Sequence, residues 1–183
     1  MGKTYEEIDD TLRAYIEEQQ MFFIATAPSS AQGLINLSPK GLDSLRITGP
    51  KSVAYLDLAG SGIETVAHLK DDGRFVLLFC SFEGKPLILR LYGRGRVHEP
   101  GDEGFARLDP LFPDLPGKRT IIELDVERIA DSCGWGVPRY DFVEQRDTLV
   151  RYHEQRTDEK RSASRKRNQT SLDGLPGLRA PSG

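Results

Sequence analysis

At 183 residues the chain is long enough to bury one substantial core and short for two. Its composition, 38% hydrophobic and 29% charged, is that of an ordinary globular protein, and no apolar run approaches the roughly 20 residues that cross a bilayer, so a helical membrane protein is excluded. The net charge of -3 combines an acidic body with a basic stretch after Val150; the cluster KRSASRKR (Lys160 to Arg167) lacks interleaved aromatics and a surrounding binding module, so nucleic acid is set aside as a partner in favour of a solvated helix face.

Thr4 and Glu7 stand at capping-box spacing, and Tyr5, Ile8, Leu12, Tyr15 and Ile16 recur at helical intervals, which predicts an amphipathic first helix lying as a lid. MFFIATA (Met21 to Ala27) reads as a buried strand, stopped by Pro28-Ser29-Ser30. Further strands are predicted at about Gly33 to Ser38, Leu45 to Ile47, Ser52 to Leu58, Arg74 to Ser81, Pro86 to His98 and Thr120 to Ile129, with helices at Ser61 to Lys70 and Glu103 to Leu111. A strand-rich middle, interrupted by single helices and joined by short turns, predicts a mainly β fold: an antiparallel barrel with helices against its openings. Residues 1–146 form this domain. Residues 147–183 follow as a basic helical tail with a loose Gly/Pro-rich end, GLPGLRAPSG.

The N-terminus MGKTYEEIDD lacks the basic-then-apolar layout of a secretory leader, and the chain has only two cysteines, Cys80 and Cys133. A reduced, cytoplasmic setting is expected, with Cys80 serving as a small hydrophobe at the end of an apolar run. No metal-ligand spacing and no catalytic triad pattern occurs.

Four segments carry candidate chemistry. In INLSPKG, Ile35 and Leu37 alternate with Asn36, Ser38 and Lys40, so a strand aims the three polar groups at one face while Pro39 bends its end; an ordinary polar strand exit is the competing reading. In SVAYLDLAGSGIET a strand passes through a glycine turn into a helix, a junction that suits phosphate through its free N–H groups. Ser61 and Glu64 there also match a capping box that needs no ligand, whereas Gly62, Thr65 and His68 are not required by a cap. Leu87 to Val97 sets Arg90, Arg94 and Arg96 on one parity, for anion binding or cross-strand ion pairs, and only Arg90 is a cofactor candidate. SCGWGVP holds the single tryptophan, Trp135, between two glycines, where an indole can lie against a planar ring or cap the barrel core.

NLSPKG, AYLDLAGSGIETVAHL, RFVLLF, LILRLYGRGRV and SCGWGVP together resemble the pyridoxamine 5′-phosphate oxidase-like superfamily, most closely its flavin-binding branch of small bacterial proteins, over about Thr4 to Asp147. The resemblance implies a split antiparallel β-barrel and a homodimer with two FMN molecules in clefts between subunits. It implies that Lys40 matches a strand lysine at the FMN phosphate, that Tyr55 and Leu56 run past the flavin, that His68 lies near the phosphate, and that Trp135 reaches the flavin of the opposite subunit. The oxidases' Arg-Lys pair at the helix start is replaced here by Glu64-Thr65. Their C-terminal arginine–histidine substrate grip and closing Trp-x-x-x-Arg-Leu-x-Pro pattern are missing, which argues against vitamin B6 as substrate. The expected function is an FMN-dependent oxidoreductase passing hydride through flavin N5 to or from a small molecule. The alternatives are a flavin-binding sensor or carrier without turnover, and a relative that holds deazaflavin or haem.

Overall fold

The computed structural model describes residues 2–180, apart from the Asp158 side chain. In chain order the elements are β1 (Thr4–Tyr5), α1 (Asp10–Glu18), β2 (Phe22–Thr26), β3 (Asn36–Lys40), β4 (Leu45–Gly49), β5 (Ser52–Leu58), α2 (Glu64–Asp71), β6 (Arg74–Cys80), β7 (Ile88–His98), α3 (Glu103–Leu108), β8 (Lys118–Ser132), α4 (Thr148–Glu154) and α5 (Asp158–Arg167). A single 3₁₀ turn, Asp109–Leu111, follows α3.

Every strand pairing is antiparallel, in the order β3-β2-β6-β7-β8-β5-β4, with β1 added on β8. The sheet is a split barrel whose free edges are β3 and β4, the two strands joined by the short loop 41–44. The barrel is filled by residues of alternating parity: Phe22 and Ile24 from β2, Val53 and Tyr55 from β5, Phe75, Leu77 and Phe79 from β6, Leu89 and Leu91 from β7, and Ile122 and Leu124 from β8. The other face of β5 is covered too. Ala54 and Leu56 pack with Leu108, Phe112 and Ile121 in a second layer, which is why SVAYLDL reads as a continuous apolar run.

The strand-rich reading holds, with ends displaced by a few residues; the strand predicted from Gly33 is observed from Asn36 to Lys40. The first helix starts later than its capping pattern predicts. Thr4 and Tyr5 instead pair with Ala130 and Ile129 of β8, and the Tyr5 hydroxyl donates to Asp131 at 2.5 Å. The cap falls to Asp9, whose carboxylate accepts from the Leu12 N–H at 2.8 Å. The Ser61/Glu64 box fails likewise, because α2 begins at Glu64 with Ile63 in the cap position and no side-chain cap.

The C-terminal end is not loose over the described residues. Leu178 is buried in the barrel's core cluster, with Ile63 packed against the neighbouring Gly177. Glu99, almost wholly buried, accepts from Lys70 Nζ at 2.7 Å and from the Arg179 backbone at 3.1 Å. One leucine among prolines and glycines is a weak sequence signal, but burying it stabilises the docked end by about 2 kcal/mol. No helix among the described residues is long and apolar enough to cross a membrane.

Candidate functional site

Strand β3 aims Asn36, Ser38 and Lys40 the same way, as its alternation requires. At the Asn36 end they meet β2 and α2. Asn36 Nδ2 donates to Thr65 Oγ1 at 2.9 Å and to Thr26 Oγ1 at 3.2 Å, and Ser38 Oγ donates to Asn36 Oδ1 at 3.0 Å. Thr26 Oγ1 in turn lies 3.1 Å from His68 Nδ1. His68 is completely buried, and its Nε2 makes no hydrogen bond; Asp173 Oδ2 stands 3.4 Å away. Tyr55 is buried as well with its hydroxyl unpartnered, and burial, followed by the nearby Asp57 carboxylate, holds the phenol protonated well above its ordinary range. Two buried polar atoms that make no hydrogen bond, beside one hydroxyl-lined wall, are the mark of a site rather than of a strand running out to solvent.

At the Lys40 end the charges are buried and paired. Asp57, fully enclosed at the end of β5, accepts from Lys40 Nζ at 3.2 Å and from Arg119 Nε at 2.7 Å. Burial alone would push this carboxyl up, but Arg119 and Lys40 together outweigh it and hold Asp57 below the usual carboxylate range. Arg119 also donates Nη1 to the Gly62 carbonyl at 2.7 Å, tying the turn before α2 to β8. The triad keeps one net positive charge. Lys40 Nζ sits 5.8 Å from the Tyr55 ring centroid and reaches a groove of about 1330 Å³. The groove is walled by Leu56, Leu58, Phe82, Tyr140, Phe142 and Tyr152. Cys80 lines it as well, and burial pushes its thiol up, consistent with a hydrophobic role.

The remaining candidates divide. Gly62 and Glu64 lie at the turn into α2, and Glu64 Oε1 accepts from the Leu172 N–H at 3.4 Å, so this acid faces the C-terminal segment. Ser61 is exposed beside it, and Pro39 lines the groove. Arg90 donates to Ser132 Oγ at 3.0 Å rather than to a cradle residue, Arg96 pairs across the strands with Asp125, and Arg94 pairs with Asp72 at the end of α2. Trp135 does not cap the core. It is 82% exposed.

The sequence reading did not single out Thr26, Asp57, Arg119, Asp173, Tyr140 or Phe142. For Asp57 a signal existed, since an acid inside SVAYLDL requires a buried cation. The others depend on residues that meet only in the fold.

A family model described as pyridoxamine 5′-phosphate oxidase matches residues 8–133. The chain belongs to the pyridoxamine 5′-phosphate oxidase family. The family protein ustO of Aspergillus flavus is 37% identical over 192 aligned positions, which cover 95% of this chain and 77% of that protein. Among solved structures, HupZ of Group A Streptococcus is similar at a TM-score of 0.52 and 22% identity, over 67% of this chain and 91% of that one. A Lactobacillus delbrueckii protein named for pyridoxamine 5′-phosphate oxidase reaches 0.54 at 19% identity, over 69% and 98%. These structural likenesses place the fold, a split barrel, in the oxidase family's class. Within the site Thr65 contributes its hydroxyl to the cradle, and Glu64 turns away to the C-terminal segment.

Proposed function

We propose that this member of the pyridoxamine 5′-phosphate oxidase family binds FMN along the inner face of β3 and acts as an oxidoreductase on a small molecule. One observation carries the proposal: the three polar residues of that strand join a hydroxyl-lined cradle, with a buried histidine nitrogen that makes no hydrogen bond, to a cationic, aromatic-walled groove. Asn36 and Lys40 are four residues apart, about 13 Å along the strand. The donor set fits a phosphate monoester at the Asn36 end, where Thr65, Ser38 and His68 converge, and a planar ring at the Lys40 end. Bound there, the flavin supplies hydride chemistry at N5.

The chain's own residues bind and tune. Lys40, held by Asp57 and backed by Arg119, presents net positive charge to the ring edge, which favours a flavin carrying negative charge. This assigns Lys40 to the ring rather than to the phosphate. Leu56 and the groove aromatics exclude water, and Gly62 and Ser61 shape the turn that Arg119 fixes. A second copy of the chain belongs to the same proposal: the β3 edge is unpaired, and Leu34, Ile35, Leu37 and Trp135 are exposed. Trp135 would then reach the partner's groove.

The test is reconstitution of the purified protein with FMN, followed by reduction with a nicotinamide donor. Bleaching of bound flavin supports the oxidoreductase; flavin that no donor reduces leaves a binding module; no uptake of FMN sinks the reading. Lys40→Ala and Thr65→Val are each expected to weaken FMN binding about tenfold with folding intact, since each removes about one hydrogen bond or charge contact to the ligand. Leu37→Asp is expected to yield a monomer by light scattering, and an unchanged dimer would remove β3 from the interface.

A further inference from the structure

The C-terminal end makes a contact that neither the family nor the flavin reading demands. Residues 169–177 form a small closed hairpin: Thr170 bridges Pro176, Ser171 N–H donates to the Leu175 carbonyl at 2.9 Å, and Gly177 N–H to the Gln169 carbonyl at 2.8 Å. Gly174 turns its tip with φ of 76°, a conformation that suits glycine. The base of the hairpin is firmly held by Leu178 in the core and by Lys70, which donates to the Gly177 carbonyl at 2.5 Å. The tip is held differently. It rests on two carboxylate contacts, Leu172 N–H to Glu64, and Asp173, whose two oxygens share the Leu34 N–H at 3.2 Å each. Asp173 Oδ2 also lies 3.4 Å from the buried, unbonded Nε2 of His68.

A carboxylate facing a backbone N–H and an imidazole nitrogen at the end of a hydroxyl cradle stands where an anion belongs. We propose that Asp173 is a built-in competitor for the phosphate end of the site, and that the 170–176 hairpin tip must swing away for a phosphate monoester to take the Leu34 N–H and His68 Nε2. This rests on the assignment of the phosphate to the Asn36 end. Two anions cannot share those donors, so closed-tip molecules do not bind, and apparent affinity falls by the fraction of molecules that are open. Because the base is anchored separately, the tip can leave without undocking Leu178.

Asp173→Asn keeps the side chain's shape and removes its charge. In flavin-fluorescence titrations of the full chain, this variant is expected to bind FMN about tenfold more tightly than the wild type, with riboflavin, which lacks the phosphate, bound equally by both. Inorganic phosphate is expected to raise the melting temperature of the variant at concentrations that leave the wild type unmoved. Equal or weaker binding of both FMN and phosphate by the variant overturns the proposal. If neither protein takes up any flavin, the functional reading fails, and the phosphate arm still decides the competition. In the wild type, hydrogen exchange at the Leu172 amide, whose acceptor Glu64 lies outside the hairpin, is expected to quicken on adding FMN, or inorganic phosphate where flavin is not taken up, while Leu178 stays protected; a Leu172 amide that remains protected in the bound state also overturns it.

Discussion

Asp57→Asn is expected to cost about 3–5 kcal/mol of folding stability, read as a lowered urea midpoint with an unchanged m value. The side chain is fully buried and the replacement is nearly isosteric, so packing is preserved and charge is what changes. Arg119, itself almost wholly buried, then keeps the Gly62 carbonyl and at most one neutral amide oxygen, and Lys40 keeps the Tyr55 ring. A cation left in the interior without its counter-ion is the expensive arrangement, whereas replacing the pair by apolar residues is tolerated. Asp57→Leu combined with Arg119→Met is therefore expected to recover part of the loss, with Lys40 turning outward.

The pH dependence of the wild type follows with a definite sign. The folded-state pKa of Asp57 is depressed below the unfolded value of about 3.9, so its stabilisation is fully present above that value and is lost as pH falls through the folded pKa. The gap in midpoint between wild type and Asp57→Asn should accordingly be constant from neutral pH down to about 5 and shrink below about 4. A neutral-pH difference under about 1 kcal/mol would mean that the triad is solvated and adds little.

That triad also marks the limit of what the sequence discloses. Strands β2, β5, β6, β7 and β8 were legible because their apolar or alternating runs are long enough to specify a strand regardless of partners, whereas the half-polar edge strands β3 and β4 rested on a few residues each. Helix starts were not. A Ser or Thr followed three residues later by Glu satisfies the capping pattern at Thr4 and at Ser61, yet the backbone at Thr4 is claimed by β8, and the turn at Ser61 by Arg119 through Gly62. Local signals lose where a distant segment offers the same backbone groups a better bond. The cradle was half legible: the parity of Asn36, Ser38 and Lys40 can be read along five residues, and Thr65 and His68 along one helix. The partners that give them meaning, Thr26, Arg119 and Asp173, are set by the sheet order and by a tail that Leu178 anchors in the core. Trp135 shows the same limit, because flanking glycines are compatible with an indole against a ring and with one over a core, and only the fold exposes it.

Gly93→Ala is expected to destabilise the barrel by about 3 kcal/mol, near 10 °C in melting temperature for a chain of this size. The glycine sits in LYGRGRV, and its neighbours give the reason for it. Between Tyr92 and Gly93 the pairing of β7 with β8 slips: Tyr92 faces Arg128 and Gly93 faces Val126, so Glu127 is the extra residue of a bulge. A Cβ on Gly93 would overlap the Asp125 carbonyl and come within 3.1 Å of the Glu127 nitrogen. Both are backbone atoms of the longest strand and cannot turn aside as a side chain can, so accepting a methyl group means undoing the bulge. Undoing it shifts the register of Gly93 to His98 against Ile121 to Val126 by one residue, which would turn Ile122 and Leu124 out of the core. Gly136→Ala, where an added Cβ meets nothing within 4 Å, serves as the control and should change stability by no more than about 0.5 kcal/mol. Equal stability of the two variants would show that the bulge yields easily, and the glycine would then need an explanation other than the close approach of two strands.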